Sequence, residues 1–303
     1  MNPRPLGGRS FAEREGSEGK RVYPVRLFAP LPIVGTEQLH SFPDFNLLYW
    51  SVTTEEVLAT ARALKERREV VHQRPLREVL EALDRVGQLW GEENSPWRRE
   101  ALEVLPLLTR QSRQMVEHEL DMVSRLLWRK NLEEWIIREL GSLSILEDWV
   151  EAGDLMIHRQ PRGLILHNLA GNAFLLSALS VLFSLLSKNL ALLKLSHEEP
   201  YFGVRFAESL AEVNADLAQD LAVLYWPGDR KETYEALFVA GLGAVVAWGE
   251  APSVKEMGAY AARHRTRLVE HGPKFGLEVI EEPSRDHARS LAYGVALDVV
   301  PWE

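Results

Sequence analysis

Residues 161–200 read PRGLILHNLAGNAFLLSALSVLFSLLSKNLALLKLSHEEP, which parses as a strand, a turn, a long helix and a second strand. The apolar run 163–166 ends in the turn residues His167, Asn168, Ala170, Gly171 and Asn172, and an apolar segment follows over 173–186. Lys188 and Asn189 close that helix. A second short apolar run, 190–193, ends at Lys194, with Ser196 and His197 just beyond. Ligands of open parallel sheets bind outside the carboxyl ends of the strands. Both carboxyl ends here carry polar groups, so the unit predicts a nucleotide site.

Downstream the alternation becomes regular. Helix 203–213, strand 221–225, helix 230–240, strand 244–248, helix 253–263 and strand 267–270 follow in turn, with a last helix over 285–298. Strands alternating with helices of this length imply right-handed crossovers and a doubly wound parallel α/β sheet. Upstream, 144–160 reads as a short helix, a Gly-Asp turn and a strand. From 54 to 140 the pattern is helical: Thr53-Thr54-Glu55-Glu56 is a start signal, and 75–89, 96–108 and 114–140 carry apolar residues at three-to-four spacing. Residues 21–28 alternate like a strand, which Pro24 would favour at an edge. The expected organisation is a mobile lead-in over 1–19, a mostly helical region over 20–155, a dinucleotide-binding α/β domain over 156–270, and the start of a further domain over 271–303.

The composition is that of a globular protein, with 303 residues, 46% hydrophobic and 26% charged. A net charge of -9 argues against a general nucleic-acid binder. No secretory signal is visible, so the cytoplasm is the expected compartment, and the apolar stretch 173–186 is shorter than the roughly 20 residues of a membrane span. The chain contains no cysteine, which removes disulfides, thiolate metal sites and cysteine nucleophiles. The histidines show no metal-ligand spacing, and no metal site is expected.

Six residues are candidates for chemistry. Asn172, before the long apolar helix, would either cap that helix or donate its amide to an oxyanion in a cleft at the strand end. Lys194 ends an apolar strand, where an ammonium group is either solvated or held for a ligand such as the ribose hydroxyls of a dinucleotide. Ser196 is small enough to admit a phosphate, and His197 adjoins it. Gly249, in Trp248-Gly249-Glu250, would let a pyrophosphate approach a helix N-terminus, although no G-x-G-x-x-G fingerprint is present. Glu270 is either a general base or a solvated acid.

Taken in order, PRG, H-x-x-x-G-N, S-K-N, K-L-S, A-W-G and E-H-G-P-K resemble the LuxC-like acyl-CoA reductases, a branch of the aldehyde dehydrogenase superfamily, over residues 156–302. The resemblance implies an aldehyde-dehydrogenase-like fold. It also implies reduction of a fatty acyl-CoA or acyl-protein thioester to the aldehyde, through an enzyme cysteine, with NADPH (or NADH); a homo-oligomer is expected separately, from apolar surface at 299–302. By position, Asn172 would stabilise the thiohemiacetal oxyanion and Lys194 would bind the adenosine ribose. His197 falls where NAD enzymes often place an acid; with Ser196 it would favour the 2'-phosphate of NADPH. Gly249 would match the cofactor-domain glycine and Glu270 the base of the hydrolytic members, a role that reduction does not need. The resemblance would put the nucleophilic cysteine just past Glu303, so the expectation is a truncated chain without thioester chemistry. The alternative is a non-catalytic nucleotide-binding or assembly module built on the same fold.

Overall fold

The computed structural model describes residues 14–15, 20–273 and 287–299. Strands β1 (Arg14–Glu15), β2 (Arg21–Val25), β3 (Thr36–Ser41) and β4 (Phe45–Ser51) form a sheet in the order β1-β2-β4-β3. The lead-in thus contains a short strand at Arg14–Glu15; the rest of 1–19 lies outside the described residues. Pro24 pairs with Leu48 of β4 on one side, while β1 reaches only to Val22 on the other. Its missing N–H therefore falls at a local edge of a strand that is interior overall. β3 and β4 were not foreseen in the sequence.

Six helices follow: α1 (Thr54–Glu66), α2 (Arg68–Gln73), α3 (Leu76–Gly91), α4 (Pro96–Thr109), α5 (Arg113–Leu126) and α6 (Arg129–Leu140). Thr53 caps α1 by accepting from Glu56 N at 3.2 Å, and Glu56 returns the bond to Thr53 N at 2.9 Å. The segment 114–140, read as one helical stretch, is two helices. Asp84 Oδ1 accepts from Arg129 N at 2.8 Å, and Asn131 donates to the Arg125 carbonyl at 2.6 Å, so partners in α3 and α6 make a new start at Arg129. A hairpin of β5 (Val150–Ala152) and β6 (Leu155–Ile157) leads into the main sheet.

That sheet contains β7 (Leu164–Asn168), β8 (Leu190–Lys194), β9 (Leu221–Leu224), β10 (Ala244–Trp248) and β11 (Arg267–His271), all parallel, in the order β11-β10-β7-β8-β9. β7, β8 and β9 are buried along their whole length, which explains why they read as continuous apolar runs. The connecting helices are α7 (Leu175–Leu186), α8 (Phe202–Val213), α9 (Lys231–Ala240) and α10 (Ala251–Arg263), with α11 (Ala288–Val299) beyond. α7 and α8 pack on one face with α3 to α6; α9 and α10 pack on the other with α1. The chain winds outward from β7 to β9, then crosses back to β10 on the far side of β7. That reversal leaves a crevice between the carboxyl ends of β7 and β10.

The N-terminal sheet docks on the β9 edge. Phe28 and Val223 exchange backbone bonds of 3.0 and 2.7 Å, and Val52 N donates to the Tyr225 carbonyl at 2.9 Å. This covers an edge that would otherwise present unpaired backbone groups. Among the described residues no helix is long and apolar enough to cross a membrane.

Candidate active site at the switch point

The crevice between β7 and β10 is built from strand ends and the turns that leave them. Asn168 closes β7 and is buried. Its Oδ1 accepts from the Tyr234 hydroxyl of α9 at 2.9 Å, and its Nδ2 reaches Ser253 Oγ in the first turn of α10 at 3.4 Å. One side chain thus ties the central strand to α9 and α10.

Gly249 follows β10 with φ +136, a left-handed conformation that L side chains rarely adopt, and its N–H donates to the His271 carbonyl at 3.3 Å. A Cβ there would lie 3.9 Å from both Ala170 and Ser253, so the turns after β7 and β10 approach each other across the crevice. Gly171 is tighter still. A Cβ on it would come within 2.6 Å of Glu198 Cβ and 2.7 Å of Ser196 Oγ, so only glycine lets the β7–α7 turn rest against the β8–α8 loop. Ser196 Oγ in that loop accepts from Glu198 N at 3.3 Å.

Lys194 ends β8 and is buried, with its Nζ beside Gly228 in the turn after β9. Among the described residues it has neither an ion pair nor a hydrogen bond, and burial pushes its ammonium pKa down to about 8. A buried cation with no compensating anion is costly unless a ligand supplies one or water reaches it.

Asn172 is exposed, and α7 begins at Leu175 with no side-chain cap, so Asn172 does not cap the helix. Among the described residues no hydrogen bond engages its amide. His197 is exposed in the β8–α8 loop. Glu270 is exposed within β11, separated from the strand of Lys194 by β10 and β7. Lys274 lies outside the described residues, as does the 300–302 segment.

The sequence reading left Tyr234, Ser253 and Gly228 out of the site and took Asn168 only as a turn residue. The strand-end rule, applied to β9 as it was to β8 and β10, would have reached Gly228. Tyr234 sits inside a helix, where no local pattern marks it. Beside the crevice, Trp248 and His271 stack at 3.7 Å with planes 9° apart, and buried His167 binds Ser184 Oγ at 2.7 Å. Burial pushes the His167 pKa down to about 3, so the ring is neutral. Among the described residues no group of three or more metal-ligating side chains is assembled.

A doubly wound sheet with this order, its helical flank and its switch-point cleft define a protein of the aldehyde dehydrogenase fold. Solved structures match it, among them the following two. Aldehyde dehydrogenase C from Pseudomonas syringae, a mutant complexed with NAD+ and octanal, has a TM-score of 0.69 at 12% identity, over 94% of this chain and 56% of that one. An NADP-dependent glyceraldehyde-3-phosphate dehydrogenase from Bacillus halodurans, complexed with NADP, has a TM-score of 0.64 at 14% identity, over 82% and 52%. Within that fold, residues 71–303 match the acyl-CoA reductase (LuxC) family model, and the chain belongs to that family. The long-chain acyl-protein thioester reductase of Aliivibrio fischeri is 30% identical over 257 residues, which are 84% of this chain and 52% of that protein. The chain spans about half the length of the curated relatives it matches.

Proposed function

We propose that this chain carries the nicotinamide-cofactor-binding part of an enzyme that reduces a long-chain acyl thioester, on CoA or on a protein, to the aldehyde, with NADPH as the cofactor. The observation that carries the reading is Lys194: a buried ammonium group, without a partner among the described residues, at the carboxyl end of a parallel strand. A dinucleotide fits what surrounds it. Lys194 would donate to the hydroxyls of the adenosine ribose, and Ser196 leaves room for a phosphate. Gly249 lets a pyrophosphate approach the first turn of α10, where Glu250, the N-cap residue, provides no side-chain bond to the helix. Residues 156–270 would form this binding unit.

The bound cofactor would supply hydride. The protein's own part is to place the reacting carbonyl and to stabilise the charge that develops on its oxygen. The exposed amide of Asn172, in the turn between β7 and α7, would donate to that oxyanion. Glu270 is not needed to activate water in a reduction, and its exposed place in β11 suits a solvated acid. The chain holds no cysteine, so it has no thiol to take up the acyl group. The 303 residues by themselves should bind cofactor without turning over a thioester.

Calorimetric titration with NADPH tests the reading. Saturable binding that Lys194→Ala weakens by at least about tenfold, a loss of roughly 1.4 kcal/mol, supports it. Absence of NADPH binding by the intact chain would sink it.

A further inference from the structure

Tyr234, Asn168 and Ser253 form a chain of hydrogen bonds that leads from the interior to the turn after β10. The ring of Tyr234 is buried, with Trp226 edge-on at 5.7 Å and Tyr260 stacked at 6.0 Å, so packing fixes the direction of its phenol. Burial pushes its pKa up, and the hydroxyl keeps its proton. It donates to Asn168 Oδ1 at 2.9 Å, which turns the amide nitrogen towards α10, where Nδ2 reaches Ser253 Oγ at 3.4 Å. Ser253 Oγ is thus the acceptor at the end of the chain, and its own hydrogen is left to donate elsewhere.

Neither that hydroxyl hydrogen nor the backbone N–H of Ser253 finds an acceptor among the described residues. The amide that follows is already used, since Val254 N donates to the Glu250 carbonyl at 3.1 Å, and Pro252 has no N–H to offer. A Cβ on Gly249 would lie 3.9 Å from Ser253 Oγ, so the hydroxyl borders the turn that this glycine keeps open. Across the sheet, Asn168 is in register with Lys194 of β8 on one side and Ala247 of β10 on the other. The buried, unpartnered ammonium group of Lys194 and the spare donors of Ser253 therefore flank Asn168 along the carboxyl edge. Two strand spacings, roughly 10 Å, separate β8 from β10, which suits a ribose at one end and the phosphates linked to it at the other. Hydrogen bonds to an ionised oxygen are about twice as strong as neutral ones, so a phosphate is the acceptor that such paired donors favour.

We infer that Tyr234 and Asn168 are positioning residues, which present the Ser253 hydroxyl as a hydrogen-bond donor to the pyrophosphate of the dinucleotide. This rests on the cofactor-binding reading above.

The test is titration of the full chain with NADPH, for the wild type, Ser253→Ala, Ser253→Thr and Tyr234→Phe, with phosphorus NMR of the bound cofactor reading its pyrophosphate and its 2'-phosphate separately. Ser253→Ala should weaken NADPH binding by about tenfold and Tyr234→Phe by about threefold, while Ser253→Thr, which keeps the hydroxyl, stays within about twofold. In Ser253→Ala and Tyr234→Phe the pyrophosphate resonances should move towards those of free NADPH and the 2'-phosphate resonance should stay in place. Wild-type affinity in Ser253→Ala overturns the role of Ser253. Pyrophosphate resonances unchanged in Tyr234→Phe overturn the positioning role, and so does an equal displacement of both phosphate signals, because Tyr234 would then be structural. In each of these cases wild-type binding of NADPH leaves the cofactor reading standing; if the wild type binds no NADPH, that reading fails and this inference with it.

Discussion

Lys194 carries a charge that its surroundings oppose. Burial takes its pKa from 10.5 to about 8, so the unfolded chain holds that proton more tightly than the folded one. Stability therefore rises with pH between those two values, and below about pH 8 the whole penalty stands, on the order of 3 kcal/mol. Lys194→Met should accordingly stabilise the chain at neutral pH by up to about 3 kcal/mol while removing cofactor binding. Urea denaturation read beside the NADPH titration checks both halves; a less stable variant would show that water or an unseen anion already compensates the ammonium. The strand-end positions of Lys194 and Gly249 were legible because each follows an apolar run that announces its strand. Tyr234 and Ser253 were not legible. Their relation to β7 comes from α9 and α10 packing against that strand, through Asn168, and no spacing along the chain encodes it.

At the scale of elements, β7 to β11 were readable to within a residue or two, since uninterrupted apolar runs bounded by turn residues leave few other solutions. β3 was not, because TEQLHS is mostly solvent-facing and carries no apolar stripe. The break between α5 and α6 was hidden as well: it depends on Asp84, a residue of α3, and no glycine or proline marks it. Glu199, which caps α8, has a consequence for pH dependence. Burial raises its pKa from 4.5 to about 8, so the folded state holds the proton more tightly and stability falls as pH rises through that window. Glu119 in α5, raised to about 7 by burial, acts in the same direction. His167 acts oppositely below its ordinary value of 6.5, where the unfolded chain gains a proton that the folded ring refuses. The midpoint of thermal unfolding should therefore drop between about pH 6.5 and pH 8, by an amount equivalent to roughly 2 kcal/mol for Glu199. Glu199→Gln keeps the oxygen that accepts from Tyr201 and Phe202 and cannot ionise, so it should flatten most of that drop. A profile unchanged in the variant would mean that Glu199 is already ionised in the fold.

For the whole molecule the question is whether the helical flank and the parallel sheet are one cooperative body. Their cores are not separate: α1 shares a cluster with β7 to β10, and α3 to α6 share another with α7 and α8. Polar ties run the same way. Asp220, fully buried just before β9, accepts from Arg67 Nε at 2.7 Å and Arg74 Nη2 at 2.8 Å, and both arginines belong to the α1–α3 segment. Glu147 bridges in parallel, accepting from Leu76 N at 2.7 Å and from the Lys188 ammonium beside β8 at 3.0 Å. Removing one partner of a buried ion pair leaves the other charge uncompensated, which costs roughly 3 to 5 kcal/mol. Asp220→Ala leaves both guanidinium groups to Asp216, which pairs with Arg67 at 3.0 Å and Arg74 at 2.8 Å, so the loss should fall in the lower part of that range. Since both cores cross from helices to sheet, that loss should lower a single calorimetric transition without splitting it. A second peak appearing in the Asp220→Ala endotherm would mean that residues 156–270 fold on their own and that the helical region is only docked against them. One lowered peak would mean that the cofactor cleft exists only while the helical flank is folded onto it.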